Sequence, residues 1–453
     1  MAHESSTAAS SLPSVTTNDR RGGGHRRNMD LISSLPDAIL QHILFFVPTQ
    51  LAITTSVLSR RWRHVWSDTP SLSFDDSYRP QVHAAWINET LDRYTAPKMT
   101  KFHFKTTMYH TVADMERWME FVTSRNVENI FLCVGRSCDY YYYYKIPDFF
   151  YTNSSIKQLS FELPRSYMIP SCSVSWTSLK KLSLSNCSLS NETAAKVLCG
   201  CPILESLKLD HCPHLRVLDL SKSLGVRTLE IACSRFLTGS MQIVAPHVHS
   251  LRMWHNYQLP CALVDVSSLT EAKVNISCHS VGETINGYDL FQFLREILEK
   301  LQNAEKLTFG CYILQLTCAD GLVFMRPLLC VAEVRGITFP MLKIKALILE
   351  TQIFQCVIPN YCDDFVGVGG GWRSKDEVSW NRSRWELEAK HVASFVELVL
   401  TNAKALDKMV LQLYGDYPSF KFEELVQTLP HNNTVSIVFS TTQNGTHHIS
   451  GES

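Results

Sequence analysis

Residues 30–66 read DLISSLPDAILQHILFFVPTQLAITTSVLSRRWRHVW, and this stretch decides how the N-terminal part of the chain folds. Its apolar residues at 36, 39, 40, 43, 44 and 47 have the i, i+3, i+4, i+7 spacing of one helical face. Pro36 suits the first helical position, and Asp37 places a negative charge in the first turn, where the helix dipole favours it. Because Pro48 cannot continue the helix, the spacing predicts an amphipathic helix over 36–47.

A second apolar set follows at Leu58, Trp62, Val65 and Trp66, spaced i, i+4, i+7 and i+8. Both sets lie within about forty residues, which is below the size at which a helical unit usually folds alone. We therefore predict three short helices whose hydrophobic surface is completed by another protein. The alternative is a helical hairpin whose apolar face packs on the rest of its own chain.

These motifs resemble an F-box of the variety found in plants, which is followed by leucine-rich repeats. The resemblance rests on Leu-Pro-Asp at Leu35, on the Ile-Leu pairs that follow, and on Ser-Arg-Arg-Trp-Arg at Ser59. Gln50 departs from the pattern, since a basic residue is common there. The resemblance implies docking to a Skp-type adaptor, and through it to a cullin, in a ubiquitin ligase. The residues it implies at that adaptor are Leu35, Pro36, Ile39, Leu40, Ile43, Leu44, Pro48, Leu58, Trp62 and Trp66.

The composition is that of a folded protein without bulk attraction to nucleic acid or membranes. The chain has 453 residues, and its 43 Lys and Arg balance its 43 Asp and Glu. No apolar run reaches the roughly 18 residues of a membrane span, and the start lacks the apolar core of a secretory signal. Fifteen scattered cysteines indicate reduced thiols. We expect an intracellular protein of the nucleus, the cytoplasm or both, without nucleic-acid or membrane partners.

Short Leu-x-Leu units recur through the middle of the chain and predict strands. They begin at Leu72, Phe102, Ile130, Leu159, Leu182, Leu207, Leu218, Leu229, Leu251, Ala272, Leu307 and Leu347. Most intervals fall in the range of roughly 20–29 residues that is typical of leucine-rich repeats, and Leu218 divides one of them. One such unit cannot bury its own apolar face, whereas stacked units form a continuous core. The pattern predicts a solenoid, irregular in its later repeats.

Two of these units continue to a cysteine, Cys187 and Cys212, which we expect to point inward where the chain turns off the strand. The alternative is a thiol nucleophile or metal ligand, for which no Cys-x-x-Cys partner is present. The nearby Cys199-Gly-Cys201 fits the end of a helix that Asn191 caps. A further amphipathic helix is expected from Tyr288 to Leu301.

Past residue 350 the pattern changes. Gly367 to Gly371 is followed by no Gly-Lys-Ser/Thr, so it is interpreted as a surface loop rather than a phosphate loop. Helices are then predicted around Val396 and over 420–429, and strands over 409–413 and 435–439. The phrase from Phe395 to Val410 resembles the C-terminal FBD module of plant F-box proteins, which implies a cap on the open end of the solenoid.

The predicted fold class is α/β. It consists of a short three-helix F-box, a curved and irregular leucine-rich-repeat solenoid, and a small α/β cap. The expected boundaries are a disordered tail (1–27), F-box (28–75), solenoid (76–350), irregular Gly-containing loop (351–385), FBD-like module (386–440) and a second disordered tail (441–453).

The sequence contains no recognisable catalytic, metal or cofactor motif. Candidate substrate-binding residues are Tyr140, Tyr142 and Tyr144 in a run of five tyrosines, since exposed tyrosines are enriched in binding surfaces. The alternative is that these rings lie on their own repeat. No concentrated set of Lys and Arg marks the predicted strands, so no bound polyphosphate is expected.

Function follows from the resemblance. It implies a non-catalytic substrate-recognition subunit of an SCF-type cullin E3 ubiquitin ligase, which docks the adaptor through the F-box and an unknown target protein through the repeats. A non-degradative scaffold that binds the adaptor is the alternative. An unrecognised enzyme would need a set of residues that the sequence does not display.

Overall fold

The structure is a computed structural model, and it describes most of the N-terminal two thirds of the chain and parts of the remainder. The described residues are 32, 34–76, 83–107, 110–135, 144–163, 167–232, 241–256, 261–277, 279–280, 295–310, 317–318, 341–352, 396–397, 399–414, 435–443 and 446–450. The predicted N-terminal tail, the Gly367–Gly371 loop and the predicted helix over 420–429 lie outside these residues.

The N-terminal unit contains three short α-helices: α1 (Asp37–Phe45), α2 (Thr49–Thr54) and α3 (Trp62–Val65). Single 3₁₀ turns follow α2 at Thr55–Val57 and α3 at Trp66–Asp68. Pro36 is the residue before α1, and Pro48 is the residue before α2. Each proline therefore begins a helix, because its fixed φ suits a helix start and the N–H it lacks would have no partner there.

A sheet of fourteen strands follows, and its strands come in chain order apart from strands that belong to other sheets. Its members are β1 (Ser71–Asp75), β2 (Lys101–Thr106), β3 (Asn129–Val134), β4 (Gln158–Glu162), β5 (Lys181–Ser185), β6 (Ser206–Asp210), β8 (Thr228–Ala232), β10 (Ser250–Asn256), β12 (Glu271–Ser277), β14 (Lys306–Phe309), β16 (Ala346–Gln352), β17 (Lys408–Tyr414), β18 (Ser436–Gln443) and β19 (Thr446–Ser450). All neighbours are parallel except β18 and β19.

Two ladders of apolar side chains hold these strands in one register. One ladder runs Leu72, Phe102, Ile130, Leu159, Leu182, Leu207, Leu229, Leu251, Ala272, Leu307, Leu347, Met409 and Ile437, and the residue two places later in each strand forms the second. All members of both ladders are buried. A one-residue slip would turn both ladders to the solvent, so hydrophobic burial sets the register. The predicted α/β repeat fold is confirmed.

The segment at Leu218 belongs to a separate sheet. There β7 (Val217–Asp219), β9 (Met241–Val244) and β11 (Cys261–Asp265) pair in parallel in the order β11-β9-β7. Leu218, Ile243 and Leu263 share one core with the large sheet. The extra Leu-x-Leu unit in the sequence therefore marks a second layer within a repeat. A short pair, β13 (His279–Ser280) and β15 (Thr317–Cys318), completes the described strands.

Helices in the connections cover one face of the large sheet. They are α4 (Ala84–Arg93), α5 (Val112–Ser124), α6 (Asp148–Tyr151) and α7 (Asn191–Cys199), and residues 295–301 are also helical. The cap of α7 differs from the prediction: the Ser190 hydroxyl accepts from the Thr193 N–H at 3.2 Å. The Asn191 side chain instead accepts from the N–H groups of Arg216 and Val217, at 2.8 and 3.1 Å. It thereby joins α7 to the next repeat.

The two repeat cysteines turn inward for a local backbone reason. Asn186 and His211, each directly before a cysteine, have positive φ values of 58° and 50°. This left-handed conformation redirects the chain at the same point of consecutive repeats, and Asn and His adopt it more readily than most residues. Cys187 and Cys212 are consequently buried in the core.

Gly200 at the end of α7 packs directly on a neighbouring backbone. A Cβ atom there would lie 2.5 Å from the Val174 carbonyl oxygen. We expect Gly200→Ala to destabilise the protein by about 1–3 kcal/mol, because the backbone of residue 174 must move. Thermal unfolding of the full chain measures the change, and Cys199→Ala at the adjacent exposed position serves as the control. An unchanged midpoint in Gly200→Ala would contradict this packing.

The C-terminal strands agree with the sequence in part. Strands predicted over 409–413 and 435–439 are present as β17 and β18. Residues 446–450 form β19, antiparallel to β18, so the expectation of a disordered tail over 441–453 is wrong at these residues. Of the predicted helix around Val396, the described residues 396–397 and 399–402 are helical, with Val396 and Val399 buried.

Candidate functional site

The N-terminal helices have a small core of their own. Its buried members are Leu40, Leu44, Ala52, Trp62, Val65 and Trp66, and Leu35 and Ile53 pack against it while partly exposed. This cluster is separate from the continuous core of the repeats. The helical unit is therefore held together by its own side chains and not by the sheet.

Helix α1 is apolar on two sides. Leu40 and Leu44 face the small core, with exposed fractions of 0% and 3%, whereas Ile39, Ile43 and Phe46 are 46%, 44% and 73% exposed. The exposed three are spaced i, i+4 and i+7, so they share one face of the helix. Among the residues that the structure describes, no other part of the chain covers this face, which disfavours the alternative of a hairpin whose apolar face packs on its own chain.

The ten residues implied at the adaptor divide into three groups. Pro36, Ile39, Ile43 and Leu58 are exposed, Leu35 and Pro48 are partly exposed, and Leu40, Leu44, Trp62 and Trp66 are buried inside the unit. The buried four support the surface from below and do not themselves reach it. Leu58 differs from its predicted place beside Trp62, because the chain leaves helical structure between Val57 and Trp62.

Sequence reasoning missed other exposed apolar side chains of the same unit. Phe46, Leu51 and Val57 are 73%, 44% and 87% exposed. A sequence signal that could have found them is an apolar residue at a helical position that does not belong to the set facing the core. Large apolar side chains concentrated on one small unit are typical of interaction surfaces.

Arg61 fastens the end of the unit to its beginning. Its Nε donates to the Asp37 carboxylate at 2.6 Å, and its guanidinium also donates to the Leu35 carbonyl oxygen. Both contacts hold the Leu-Pro-Asp segment against the chain just before α3. The Arg in the Ser-Arg-Arg-Trp motif therefore positions the start of α1.

Several hydrogen bonds join the helical unit to the first repeat. The Ser73 N–H donates to the Thr49 hydroxyl at 2.7 Å, and the N–H groups of Thr95 and Ala96 donate to the Ser67 carbonyl oxygen at 3.0 and 2.9 Å. The Tyr94 hydroxyl donates to the Thr69 carbonyl oxygen at 2.7 Å in the interior. Burial raises the pKa of Tyr94 well above its usual value, which keeps the phenol protonated as a donor. The junction between the helical unit and the first repeat is thus formed by hydrogen bonds from residues of both.

The buried thiols of the repeats are poor nucleophiles. Burial raises the pKa of Cys201 to about 12, and burial together with Glu162 raises the pKa of Cys133 to about 12. Cys187 and Cys212 contact backbone carbonyl oxygens at 3.4 Å in the core. Because the thiolate is the reactive form, these positions favour packing over the nucleophile alternative. The expectation of reduced thiols is wrong at Cys261, which is disulfide-bonded.

Within the described ranges, no group of three or more His, Cys, Asp or Glu could hold a metal ion.

Of the candidate tyrosines, Tyr140 and Tyr142 lie outside the described residues. Tyr144 is partly buried against the core of the repeats, and its hydroxyl lies 3.4 Å from the Met119 sulfur. Burial raises its pKa.

Among the helices that the structure describes, none has both the length and the hydrophobicity that crossing a bilayer demands.

Two family models match the chain. The F-box domain matches residues 32–74, and the model described as "FBD-associated F-box protein At5g56370, LRR repeats" matches residues 115–278.

Curated proteins of Arabidopsis thaliana are similar over nearly the whole chain. The putative F-box/LRR-repeat protein At3g18150 is 48% identical, over 95% of this chain and 98% of its own length. The F-box/LRR-repeat proteins At5g02910 and At3g03360 are 42% and 44% identical, and each alignment covers at least 90% of both proteins. Since the F-box model matches the N-terminal helices, a repeat model matches the parallel sheet, and these relatives match over nine tenths or more of the chain, the chain belongs to the F-box/LRR-repeat proteins.

Proposed function

We propose that this chain is the substrate-recognition subunit of an SCF-type cullin E3 ubiquitin ligase. Its F-box docks a Skp-type adaptor, and its repeats bind a client protein. F-box domains generally bind Skp-type adaptors, and F-box/LRR proteins generally act as substrate receptors of such ligases.

The observation that carries the proposal is the second apolar side of α1. A helix that only had to complete the small core would need Leu40 and Leu44 inward and polar residues outward. Instead Ile39 and Ile43 stand next to them and face solvent. Covering such side chains with a partner removes apolar surface from water, which favours association.

We assign docking to the exposed members of the implied set, namely Pro36, Ile39, Ile43 and Leu58, together with Phe46, Leu51 and Val57. Leu35 contributes from the edge of the small core. The buried Leu40, Leu44, Trp62 and Trp66 act indirectly, since they hold α1 in place behind the surface. A docking face on a rigid element is positioned more accurately than one on a loop.

The role proposed for the chain is non-catalytic. A receptor of this kind holds its client near a ubiquitin carrier, so its contribution is proximity and orientation. The hydrogen-bonded junction from Ser67 to Ala96 fits that role, because it transmits the position of the docked helices to the first strands of the client-binding part.

The test is reconstitution from purified full-length components. We expect the chain and a plant Skp-type adaptor to elute together in a 1:1 complex on size-exclusion chromatography, and addition of a cullin to give a ternary complex. Absence of the binary complex would refute adaptor docking. A stable binary complex that excludes the cullin would support the non-degradative scaffold instead.

A further inference from the structure

The open face of the large sheet carries a trough at β3 to β6. The open face comprises the side chains that alternate with the buried ladders, and on neighbouring strands these are Phe131, Ser160, Ser183 and Lys208. The large side chains of Phe131 and Lys208 form its two sides, and the small side chains of the two serines form its floor. The resulting cavity has a volume of about 400 Å³. Strand spacing of about 4.8 Å makes it about 14 Å wide from β3 to β6.

One wall of the trough is aromatic. The rings of His103 and Phe131 stack with their centroids 4.5 Å apart and their planes 7° apart. Stacking covers one face of Phe131, and its other face borders the serine floor. An aromatic side chain of a ligand can therefore pack against this ring, which is a favourable arrangement for two π systems.

Positive charge surrounds the trough. Lys101, Lys181 and Lys208 all line it, and none of them forms an ion pair with any residue that the structure describes. Its one lining carboxylate, Glu230, is already paired with Arg252 at 3.1 Å. His103 adds little charge, because burial and the neighbouring Lys101 lower its pKa. Among the described residues, the three lysines of the trough thus have no ion-pair partner.

Carboxylates lie instead at the carboxyl ends of the same strands. Glu162 accepts a hydrogen bond from the Cys133 thiol at 3.2 Å, and Asp210 contacts His211. Along β4 and β6, the carboxylates of the open face therefore lie at the carboxyl ends, away from the lysines of the trough. A negatively charged ligand is attracted to the trough and repelled from these two carboxylates, which orients it across the strands.

We propose that this trough binds an extended acidic segment of the client protein that carries an aromatic side chain. The carboxylates of that segment meet Lys101, Lys181 and Lys208, and its aromatic ring packs on Phe131 above Ser160. This assignment rests on the proposed receptor function, since it names the chemistry of the client. It differs from the sequence expectation, in which no concentrated basic set marks the strands.

The first experiment uses a fluorescein-labelled peptide of alternating Glu and Gly with one central Tyr, titrated with the full-length chain and followed by fluorescence anisotropy. Two further peptides replace every Glu by Lys, or the Tyr by Ala. We expect the acidic Tyr peptide to bind best, the Ala peptide several-fold more weakly and the basic peptide not at all. Added salt should weaken binding, because exposed charges are screened. Equal binding of acidic and basic peptides would overturn the proposal.

Charge-reversal variants locate the site. Lys181→Glu with Lys208→Glu should weaken binding of the acidic peptide at least tenfold. The matched control is Lys196→Glu with Lys222→Glu, two exposed lysines outside the trough, on α7 and in the turn after β7. Equal losses in both double variants would show a general charge effect and refute the assignment.

A third variant separates shape from charge. Ser160→Leu fills the floor and keeps every lysine, so it should abolish the preference for Tyr over Ala while the acidic peptides still bind.

Tripolyphosphate is the competing occupant: if it binds the trough more tightly than the acidic peptide, the client segment is the wrong ligand. Adaptor capture is measured on the same samples. If the wild-type chain captures the adaptor but does not bind the acidic peptide, the assignment of the trough is wrong. If it binds the peptide but does not capture the adaptor, the proposed receptor function is wrong.

Discussion

Replacing Ile39 and Ile43 together by aspartate is expected to abolish capture of the Skp-type adaptor. Both side chains are nearly half exposed in the isolated chain, so the charged replacements remain solvated and the fold is retained. In the complex, two carboxylates would be buried without partners. That arrangement costs about 3 kcal/mol or more, which corresponds to about a 100-fold or greater loss of affinity.

The measurement is a titration of immobilised adaptor with each purified variant, with circular dichroism to verify the fold. Ile169→Asp with Ile203→Asp is the matched control, because these two isoleucines are 52% and 44% exposed and lie in the repeats. The control should bind like the wild type. Wild-type affinity in the Ile39 and Ile43 variant would exclude this face of α1 from the docking surface. Alanine at Leu35 and Pro36 is a less direct probe, since the Leu35 side chain also packs against the small core of the helical unit.

Truncation of Phe150 to alanine is expected to cost about 3–5 kcal/mol of unfolding free energy in the repeats. The Phe150 ring is fully buried between Phe161 and Trp176, with centroid distances of 5.4 and 6.3 Å. The Phe150 carbonyl oxygen also accepts from the Trp176 indole N–H at 2.9 Å. Removal of the ring leaves a cavity between two repeats, and each repeat is stabilised mainly by its neighbours.

The adjacent Phe149 supplies the control, since it has the same side chain in the same short helix and is 37% exposed. Phe149→Ala should lower stability by about 1 kcal/mol or less. Urea unfolding followed by tryptophan fluorescence measures both variants. Adaptor capture should survive in Phe150→Ala, because the docking helices have a separate core. Similar stability losses in both variants would contradict the packing described here.

The repeat architecture was predictable because the apolar residues of each strand alternate with a regular local period. Every Leu-x-Leu unit named from the sequence is a strand, and the alternation alone shows which side chains are buried. The one interval divided at Leu218 predicted an additional segment, but its membership in a second sheet was not predictable. When two segments have equally good strand patterns, the patterns do not indicate which neighbouring strand each segment pairs with.

The position of the N-terminal helical unit was predictable, but which of its apolar side chains are exposed was predictable only in part. The motif located α1 to α3 and named Ile39 and Ile43, both of which are exposed. It could not divide the apolar positions of one stripe into an inner and an outer side, so Leu40 and Trp62 were grouped with them. Phe46 and Val57 were missed, because exposure depends on where the neighbouring helices end.

The sequence by itself determined the family, the N-terminal helical unit and the register of the long sheet, because each depends on the spacing of apolar residues along a few turns or strands. The tertiary structure alone decided which apolar side chains of α1 face outward and which lysines become neighbours. Lys101, Lys181 and Lys208 are far apart along the chain and meet only because three strands, two of them adjacent, hold them on one face. Proximity of that kind is set by strand pairing, and no local pattern encodes it.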